Sequence, residues 1–574
     1  MTTHFEIRRQ IEDRLDQEIG TIYKEAACRV SLVYPSPYRI GMSSLGFQSI
    51  YRLLNERDGI VCERSFLPDD LDAYRSNRTP LLTYESQTPA ADADIVALSI
   101  AYETEVIGLI DCLDLMGMPF LANERDARHP LVILGGPLTF SNPLPVAPFA
   151  DLIVMGEGDE LIGVLLDWYR DSTSREQFLE DVALLPGVYV PVIHGEGLRP
   201  VAQANDSFLP AYSPIITPDT ELSNMHLVEN ARGCHRGCTF CVMRRTTNMG
   251  MRTVEPEVVL GTIPAHAERV GLVGAATTDH PKIKEIMEGV VREGRGLGLS
   301  SLRADRLDDD FVALLARGGA RTLTVASDGS SQRMRDVARK NIKEKHLIRA
   351  AELVRDHDLG LLKLYMVIAY PEEEMADIEE MCDFVLELSK ICKVALGMSP
   401  LVAKKNTPLD GVPFEDKKSL EAKIKRVHKR LGRRVDIRAT SVRWAWIEYQ
   451  LAQGGWGMAD VAIQVWKDGG GFAAWKRAIW CRRGLASVAR SSTSSSPKAT
   501  RLRPDSASPP CATTRSTSRS PRSTRSGSAS GSSGTAGFMA SSLNIVFISM
   551  SAWRVSRYTL PRKLSGSESW KSRP

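Results

Sequence analysis

Three cysteines, Cys234, Cys238 and Cys241, lie within eight residues, and their type and spacing predict chemistry more directly than any other part of the sequence. Zinc in a structural site uses four closed ligands, usually two Cys or Cys/His pairs, and the sequence has no second pair. Iron–sulfur clusters also take thiolate ligands, and three thiolates leave one iron of a four-iron cluster open to an external ligand. The alternative is three structural cysteines that merely fall close together. His235, between two of the cysteines, is interpreted as a solvated loop residue.

The spacing C-x3-C-x2-C, with the aromatic residue Phe240 before the last cysteine, resembles the signature of the radical S-adenosylmethionine (SAM) superfamily. The resemblance implies that the three cysteines hold a 4Fe-4S cluster whose open iron binds the amino and carboxylate groups of SAM. It implies further that an electron from the cluster cleaves SAM to methionine and a 5'-deoxyadenosyl radical. The protein then orients the reacting groups and excludes water. The implied partners are an unknown substrate and an external electron donor such as flavodoxin or ferredoxin.

The composition is that of an ordinary globular protein, with 43% hydrophobic and 25% charged residues among 574. This length has room for about three to four domains. The first residues are polar, no apolar run reaches the length of a membrane span, and the other seven cysteines are scattered, so we expect a cytoplasmic protein without membrane contact. Residues 1–480 hold 57 Lys and Arg against 68 Asp and Glu, and such an acidic body does not indicate nucleic-acid binding.

The first half of the chain has the pattern of an α/β domain. Short apolar runs at 30–34, 95–99, 131–134 and 152–155 alternate with helical segments such as 105–116 and 160–169. Runs of this length, separated by helices, are typical of a parallel sheet covered on both faces. The sequence therefore predicts a doubly wound, Rossmann-like domain over residues 30–195. A leading helix at 5–27, within residues 1–29, precedes it. Ligands are expected at the carboxyl ends of the strands, at the loops 35–46, 135–137 and 156–160.

This arrangement resembles the cobalamin-binding-type domain that precedes the radical domain in one large branch of the superfamily. Members that bind cobalamin through histidine carry D-x-H-x-x-G in an early strand-end loop, whereas the loop at 38–46 has no histidine. Three alternatives remain open: cobalamin bound in another way, no cobalamin, or glycines at strand ends that are only turn residues. A linker at 196–219 separates this domain from the next.

The pattern beyond the linker predicts a barrel. Strand-like runs at 226–230, 270–274, 299–303, 322–326 and 362–368 alternate with helical segments at 283–295, 309–317 and 344–357. Repeated β-α units with chemistry at the strand ends place the site at the C-terminal face. The resemblance implies the partial (β/α)6 radical SAM barrel for residues 220–400. A helical C-terminal extension follows at 401–480, where six tryptophans predict core or interface packing.

Six cofactor-binding residues are implied by the resemblance alone, and the first of them is Phe240 of the cysteine motif. Gly274 stands where relatives carry a glycine that meets the amino group of SAM, and Arg303 lies in a segment matching S-L-R-x-D. Asp328 replaces a longer acid that approaches the ribose, and Arg335 stands at the position of an arginine that approaches the SAM carboxylate. Ile368 lies in the segment that contacts adenine in relatives.

Structural interpretations stand beside these functional ones. Arg303 is equally well explained by an ion pair with Asp305, and Ser330 by a role as the N-cap of the following helix. Asp279 and His280, just past the second barrel strand, are interpreted as polar rim residues, with substrate contact as the alternative. No general acid or base is assigned, because the deoxyadenosyl radical abstracts hydrogen directly and water exclusion matters more.

The composition changes abruptly at residue 481. Residues 481–574 hold 26 serines and 16 Lys and Arg against 2 Asp and Glu, which predicts a low-complexity, basic, disordered tail. A genuine basic tail would indicate nucleic-acid or anionic partners. We favour an out-of-frame translation, because the composition and the family likeness change at one point, and an intact reading frame there would contradict it.

Three hypotheses about function follow. The leading one is a radical SAM enzyme with an α/β cobalamin-type domain and an unknown substrate. A methylthiotransferase-like or cobalamin-dependent modifying enzyme is the enzymatic alternative, although a methylthiotransferase needs a second cluster and no second cysteine trio exists. A non-catalytic iron–sulfur regulatory protein is the alternative outside enzymes, and the loss of two family glycines and the shortened acid at Asp328 favour it.

Overall fold

A six-stranded sheet forms the centre of the first domain in the computed structural model, which describes residues 3–245, 250–299 and 302–493. The strand order is β2-β1-β3-β4-β5-β6, and β6 alone within this sheet runs antiparallel. The strands are β1 (Cys28–Tyr34), β2 (Ile60–Phe66), β3 (Ile95–Ser99), β4 (Leu131–Gly135), β5 (Leu152–Val154) and β6 (Val188–Tyr189). The order in which strands are added to the sheet reverses between β1 and β3, and open α/β sheets bind ligands at such a switch point.

Helices cover both faces of this sheet, and the predicted doubly wound α/β architecture is confirmed. The helices are α1 (His4–Leu15), α2 (Tyr38–Gly41), α3 (Leu45–Asn55), α4 (Leu71–Ser76), α5 (Val106–Leu115), α6 (Leu161–Asp171), α7 (Arg175–Val182) and α8 (Pro191–His194). In α3, Phe47, Tyr51 and Leu54 recur at helical spacing and are buried against the sheet. The Ser44 hydroxyl accepts the Phe47 N–H and caps the start of the helix.

The leading helix is shorter than predicted. It ends at Leu15 rather than at residue 27, and Ile19 then forms an antiparallel bridge with Ile216. Ile7 and Ile11 are the buried residues of the helix, and Leu15 at its end packs partly buried against the same core.

Parallel strands also form the second domain. Its strands are β7 (His226–Glu229), β8 (Ala231–Gly233), β9 (Met251–Thr253), β10 (Arg269–Val273), β11 (Gly296–Leu299), β12 (Thr322–Ala326), β13 (Leu361–Ile368), β14 (Val394–Pro400) and β15 (Asp436–Ala439). One sheet has the order β7-β10-β11 and another β12-β13-β14-β15, and a parallel bridge between Leu302 and Val325 connects them. The predicted partial barrel is confirmed, while β8 and β9 form a separate antiparallel pair.

Amphipathic helices cover the outside of the barrel. They are α9 (Pro256–Gly261), α10 (Ile283–Arg292), α11 (Asp309–Arg317), α12 (Gln332–Val337), α13 (Glu344–Asp356), α14 (Met375–Ile391) and α15 (Lys417–Leu431). In α10, for example, Ile283, Ile286 and Val290 face the strands and are buried. Burial of one such face per helix stabilises each β-α unit against the sheet, at roughly 25 cal/mol for each Å² of apolar surface removed from water.

The C-terminal helices pack on the first domain. They are α16 (Val442–Ala452), α17 (Met458–Lys467) and α18 (Phe472–Thr493). Leu451, Val465 and Trp475 belong to the same hydrophobic core as Val96 and Leu109 of the first domain. The predicted core role of a tryptophan is confirmed at Trp475, whereas Trp480 is exposed.

The last described helix extends past the predicted boundary at residue 480 and ends at Thr493. Residues 494–574, with most of the predicted disordered tail, lie outside the described residues. Among the helices of residues 3–245, 250–299 and 302–493, none combines the length and the apolar composition needed to cross a bilayer.

A buried carboxylate, Glu105, connects the loops that follow β1 and β3. It accepts hydrogen bonds from Ser36 Oγ at 2.9 Å and from the Ala101 N–H at 2.6 Å. Burial and, to a smaller extent, the nearby charge of Glu103 raise the pKa of Glu105 to about 7. The folded protein therefore keeps a proton on Glu105 at pH values where the unfolded chain loses it.

We expect the stability of the wild-type protein to fall as pH rises from about 4.5 to about 7, because the folded state binds the extra proton in that window. Replacing Glu105 by Gln removes this dependence, since the amide mimics the protonated acid. The difference in unfolding free energy between the variant and wild type should therefore increase by about 1–3 kcal/mol, in favour of the variant, from pH 5 to pH 8. Urea titrations at both pH values measure the difference, with the exposed Glu124→Gln as the control for loss of one charge. A gain independent of pH would contradict the assignment.

Candidate functional site

A largely apolar cavity of about 380 Å³ lies where the carboxyl ends of the strands of both domains face each other. The first domain contributes the loops after β1, β4 and β5, including Gly46, Gly135 and Gly158. The barrel contributes the cysteine loop and the ends of β10, β12 and β13. The edges that bind ligands in open sheets and in barrels therefore enclose one space.

All three cysteines of the motif line this cavity. The antiparallel pair of β8 and β9 brackets the loop, and Gly233, at the end of β8, has a φ of 83°, which disfavours a residue with a side chain. The Thr239 N–H donates to the Ala338 carbonyl at 3.1 Å and fastens the loop to the segment after α12. The loop is thus held at both ends by backbone hydrogen bonds.

The cysteine thiols have the chemistry of metal ligands. Burial raises the pKa of Cys241 to about 12, with a further increase from the charge of Cys238, and burial also raises the pKa of Cys234. Thiols in such surroundings become thiolates when a cation compensates their charge, and a coordinating thiol is deprotonated outright. Within the ranges described, no three side chains converge on the position of a single metal ion. Cluster ligands each bind a different iron, so three cysteines around one cavity fit a cluster.

Phe240 closes the apolar side of the cysteine loop. It packs against a small core that includes Met334, Leu401 and Tyr370, with 6.4 Å between the ring centroids of Phe240 and Tyr370. The Tyr370 hydroxyl donates to the Asp328 carbonyl at 2.9 Å. This packing excludes water behind the cysteines, and the aromatic position of the motif therefore has a physical role.

Gly274 and Arg303 both line the cavity, as their predicted roles require. A Cβ atom at Gly274 would lie 2.9 Å from the Ala231 carbonyl oxygen and 3.0 Å from Asn230 Oδ1, so a larger residue does not fit. Arg303 Nε donates to Asp305 at 3.0 Å, which is the ion pair that the structural interpretation anticipated. The guanidinium reaches the cavity with its charge already paired.

Asp328, Arg335 and Ile368 are placed differently from one another. Asp328 lines the cavity and is buried, with a left-handed φ of 52°. The Arg335 guanidinium lies over the Phe384 ring at 5.9 Å from its centroid and is not among the cavity-lining residues. Ile368 is buried in the barrel wall, and its neighbour Val367 lines the cavity instead.

The residues past the second barrel strand have structural partners. The Asp279 carboxylate is fully buried and forms ion pairs with Arg236 at 2.6 Å and Arg306 at 2.9 Å. His280 is buried with Nε2 2.9 Å from the Val254 carbonyl. Neither residue lines the cavity, so the structure supports neither the rim interpretation nor substrate contact for them. His235 is about half-exposed, as expected for a solvated loop residue.

The predicted N-cap was one residue out of register. Ser331 caps α12 by accepting the Met334 N–H at 3.1 Å, whereas the Ser330 hydroxyl donates to Glu373 Oε1. Glu373 also accepts the Ala369 N–H, so Ser330 connects two strand-end loops of the barrel. Because serine is found in both roles, its presence before a helix did not distinguish them.

Two lysines that were not among the predicted site residues also border the cavity. Lys340 follows α12, and Lys404 follows β14. Lys404 is buried between Glu103 of the first domain, at 2.8 Å, and Glu448 of α16, at 2.6 Å. A lysine in a polar loop carries no sequence signal for such a position, because its partners are distant in the chain.

Arg232, directly before the cysteine loop, joins the two domains at the cavity wall. Its guanidinium binds Glu229 of β7 at 2.7 Å and reaches across to Asp159 of the first domain at 2.9 Å. Glu157 lies beside it at 3.4 Å and also pairs with Arg252 of β9. All five side chains are largely removed from solvent, so each charge depends on the others for compensation.

Comparison with known protein families gives two matches, one in each domain. Residues 229–385 match the model of the Radical SAM superfamily, and residues 46–191 match that of the N-terminal region of radical SAM proteins. The first match includes all three cysteines, and the second covers most of the first-domain sheet.

One curated relative and two solved structures illustrate the similarity. The chain is 25% identical over 417 residues to an uncharacterized protein, MJ0966, of Methanocaldococcus jannaschii, covering 70% of this chain and 83% of the relative. Its fold is similar to OxsB, a cobalamin-dependent SAM radical enzyme with aqua-cobalamin and SAM bound, at 16% identity and a TM-score of 0.47, covering 71% of this chain. The match spans 58% of the OxsB chain, less than two thirds of its length. SuiB of Streptococcus suis, bound to SAM, matches at 13% identity and a TM-score of 0.30, covering 39% of this chain and 51% of SuiB.

Replacing Arg232 by Gln should destabilise the protein by about 3–5 kcal/mol, because it leaves buried carboxylates without their main cation. Urea unfolding measures the loss, and the exposed Arg128→Gln, which removes a surface pair with Asp126, serves as the matched control. The control should cost about 0–1 kcal/mol. Equal losses in the two variants would contradict the role assigned to Arg232.

Proposed function

Since the chain belongs to the radical SAM superfamily, we propose that it is an enzyme that reductively cleaves SAM at a 4Fe-4S cluster and directs the resulting radical to an unknown substrate. The observation that carries this proposal is the placement of Cys234, Cys238 and Cys241 around one cavity at the carboxyl ends of the barrel strands. That cavity also extends over the first domain, so a substrate or second cofactor has space beside the cysteines.

The residues around the cysteines suit this chemistry. Cys234, Cys238 and Cys241 would hold the cluster, which when bound supplies the electron that cleaves SAM to methionine and a 5'-deoxyadenosyl radical. Phe240 keeps water from the cysteine loop, which protects a reactive radical from side reactions. Gly274 permits close backbone approach, and Asp328 offers a carboxylate at the cavity wall.

Four predicted contacts border the cavity and remain proposals for SAM binding: Phe240, Gly274, Arg303 and Asp328. Arg335 and Ile368 stay predictions that their placement does not support, because neither lines the cavity. Lys340 is a further cation that borders the cavity and has no proposed role in SAM binding.

Cobalamin is the candidate ligand for the first-domain half of the cavity. This half is walled by apolar residues such as Leu45 and Ile133 and by strand-end glycines, which suits a broad ligand with a large apolar surface. No histidine is among the cavity-lining residues in the described ranges, so cobalamin would bind without a cavity imidazole on cobalt. This agrees with the missing histidine of the 38–46 loop.

The remaining assignments are proposals of the same rank. We propose a cytoplasmic location, flavodoxin or ferredoxin as electron donor, and a domain division at 30–195, 196–219, 220–400 and 401–480. The cavity lining supports no methylthiotransferase-like chemistry, since it contains no cysteine beyond the motif trio among the residues described. A non-catalytic iron–sulfur protein is the other candidate, and the next experiment distinguishes it.

Anaerobically reconstituted protein, given dithionite and SAM, should release 5'-deoxyadenosine, measured by liquid chromatography and mass spectrometry. Cys238→Ala should lose cluster iron and this product, because it removes a cluster ligand. Cys392→Ala, at a half-buried cysteine outside the cavity, is the matched control and should retain both. A wild-type protein with full iron content and no 5'-deoxyadenosine would favour the non-catalytic candidate.

Cobalamin binding is tested by adding hydroxocobalamin to the full chain and measuring the retained absorbance after gel filtration. Replacing Gly46 by Leu should weaken binding at least about tenfold, because a Cβ there meets open space in the cavity and a leucine fills it. Gly261→Leu is the matched control, because the added side chain also meets open space but lies at the end of α9, outside the cavity. This variant should bind cobalamin like wild type. Equal binding by both variants would contradict this placement, and no binding by wild type would exclude cobalamin.

A further inference from the structure

Lys340 is a buried ammonium at the cavity wall that no family motif in the sequence analysis identified. Its Nζ binds Asp328 Oδ2 at 2.6 Å, and the lysine side chain is only 11% exposed. Lys340 lines the same cavity as the three cysteines. The pair therefore places one positive and one negative charge beside the proposed cluster.

The Lys340 ammonium lies at the wall of the same cavity as the cysteines and interacts with them electrostatically. The charge of Lys340 lowers the pKa of Cys234 and of Cys241, although burial dominates in both cases. The charge of Cys238 in turn raises the pKa of Lys340. An ammonium buried at this wall acts on charges in the cavity through a poorly screened medium.

The backbone holds Lys340 in place at a conformational cost. Arg339 and Asn341, its chain neighbours, have left-handed φ values of 51° and 58°, which residues with side chains adopt rarely. The Lys340 carbonyl accepts a hydrogen bond from Arg303 Nη2 at 3.0 Å. Two residues earlier, the Ala338 carbonyl accepts the Thr239 N–H of the cysteine loop. The segment is thus tied to the cysteine loop on one side and to Arg303 on the other.

Two arginines that line the cavity, Arg236 and Arg303, are paired with acids that do not line it. Arg236 is paired with Asp279, and Arg303 with Asp305. Lys340 differs from them because its partner Asp328 itself lines the cavity. Removing either member of the Lys340–Asp328 pair therefore changes the net charge seen by the cysteines.

We propose that the Lys340–Asp328 pair sets the reduction potential of the cluster held by Cys234, Cys238 and Cys241. A fixed positive charge stabilises the reduced, more negative state, and net charge is one of the determinants of cluster potential. Asp328 moderates this effect, because its carboxylate offsets part of the ammonium charge. The pair thus determines how readily the cluster accepts an electron. This inference rests on the proposed function, because it needs the cluster to be present.

The experiment is a redox titration of the reconstituted full chain, followed by electron paramagnetic resonance and performed without SAM. Lys340→Gln should lower the potential, with the equilibrium constant for one-electron reduction falling about tenfold, equivalent to about 59 mV. Asp328→Asn should raise the potential, because the ammonium then acts unopposed. Opposite shifts are the decisive result, since general loosening of the site would move both variants in one direction.

Lys340→Arg keeps the charge and should titrate like wild type. Lys284→Gln removes a lysine of α10 paired with Asp308 outside the cavity, and it should leave the potential unchanged. If Lys340→Gln does not retain iron, Asp328→Asn still decides, because an unchanged or lowered potential in that variant would overturn the proposal. Absence of iron from the wild type would instead refute the proposed function, so the two failures are distinguishable.

Discussion

Charge compensation out of water is the constraint on which the site depends. The cavity is mostly apolar, yet its wall contains Arg232, Arg303, Lys340 and Lys404, and each of these cations is paired with a carboxylate. A buried charge without a partner is costly, whereas paired charges at one wall hold their elements in fixed positions. The cations pair with acids from both domains, and the cavity keeps its shape because these pairs cannot separate cheaply.

The regular elements could be predicted from the sequence because their signals are local. Apolar runs of strand length, alternating with amphipathic helices, were sufficient to derive both α/β domains, and the segment 309–317 was found as predicted at Asp309–Arg317. The cysteine motif was equally readable, since its ligands are close in sequence. Helix ends were less predictable: α1 stops at Leu15, and the chain beyond it pairs at Ile19 with Ile216, a residue distant in sequence.

The sequence did not predict the direction in which individual side chains point. Arg335 and Lys340 are close in sequence, and the motif pointed to Arg335, yet the helix turns it toward Phe384 and the left-handed residues after the helix bring Lys340 to the cavity. The Arg232 cluster was missed for a related reason. Its partners Glu157 and Asp159 belong to another domain, and one sequence without a fold cannot indicate which acid meets which base.

The return of the C-terminal helices to the first domain has a consequence for synthesis on the ribosome. Trp475 fills the same core as Val96, so the covering of that sheet face is completed only after nearly five hundred residues have left the exit tunnel. Until then the nascent chain carries an uncovered apolar surface, which is a situation that molecular chaperones recognise. The first domain is therefore first to be translated but among the last parts to acquire its final packing, while the barrel can assemble in the interval.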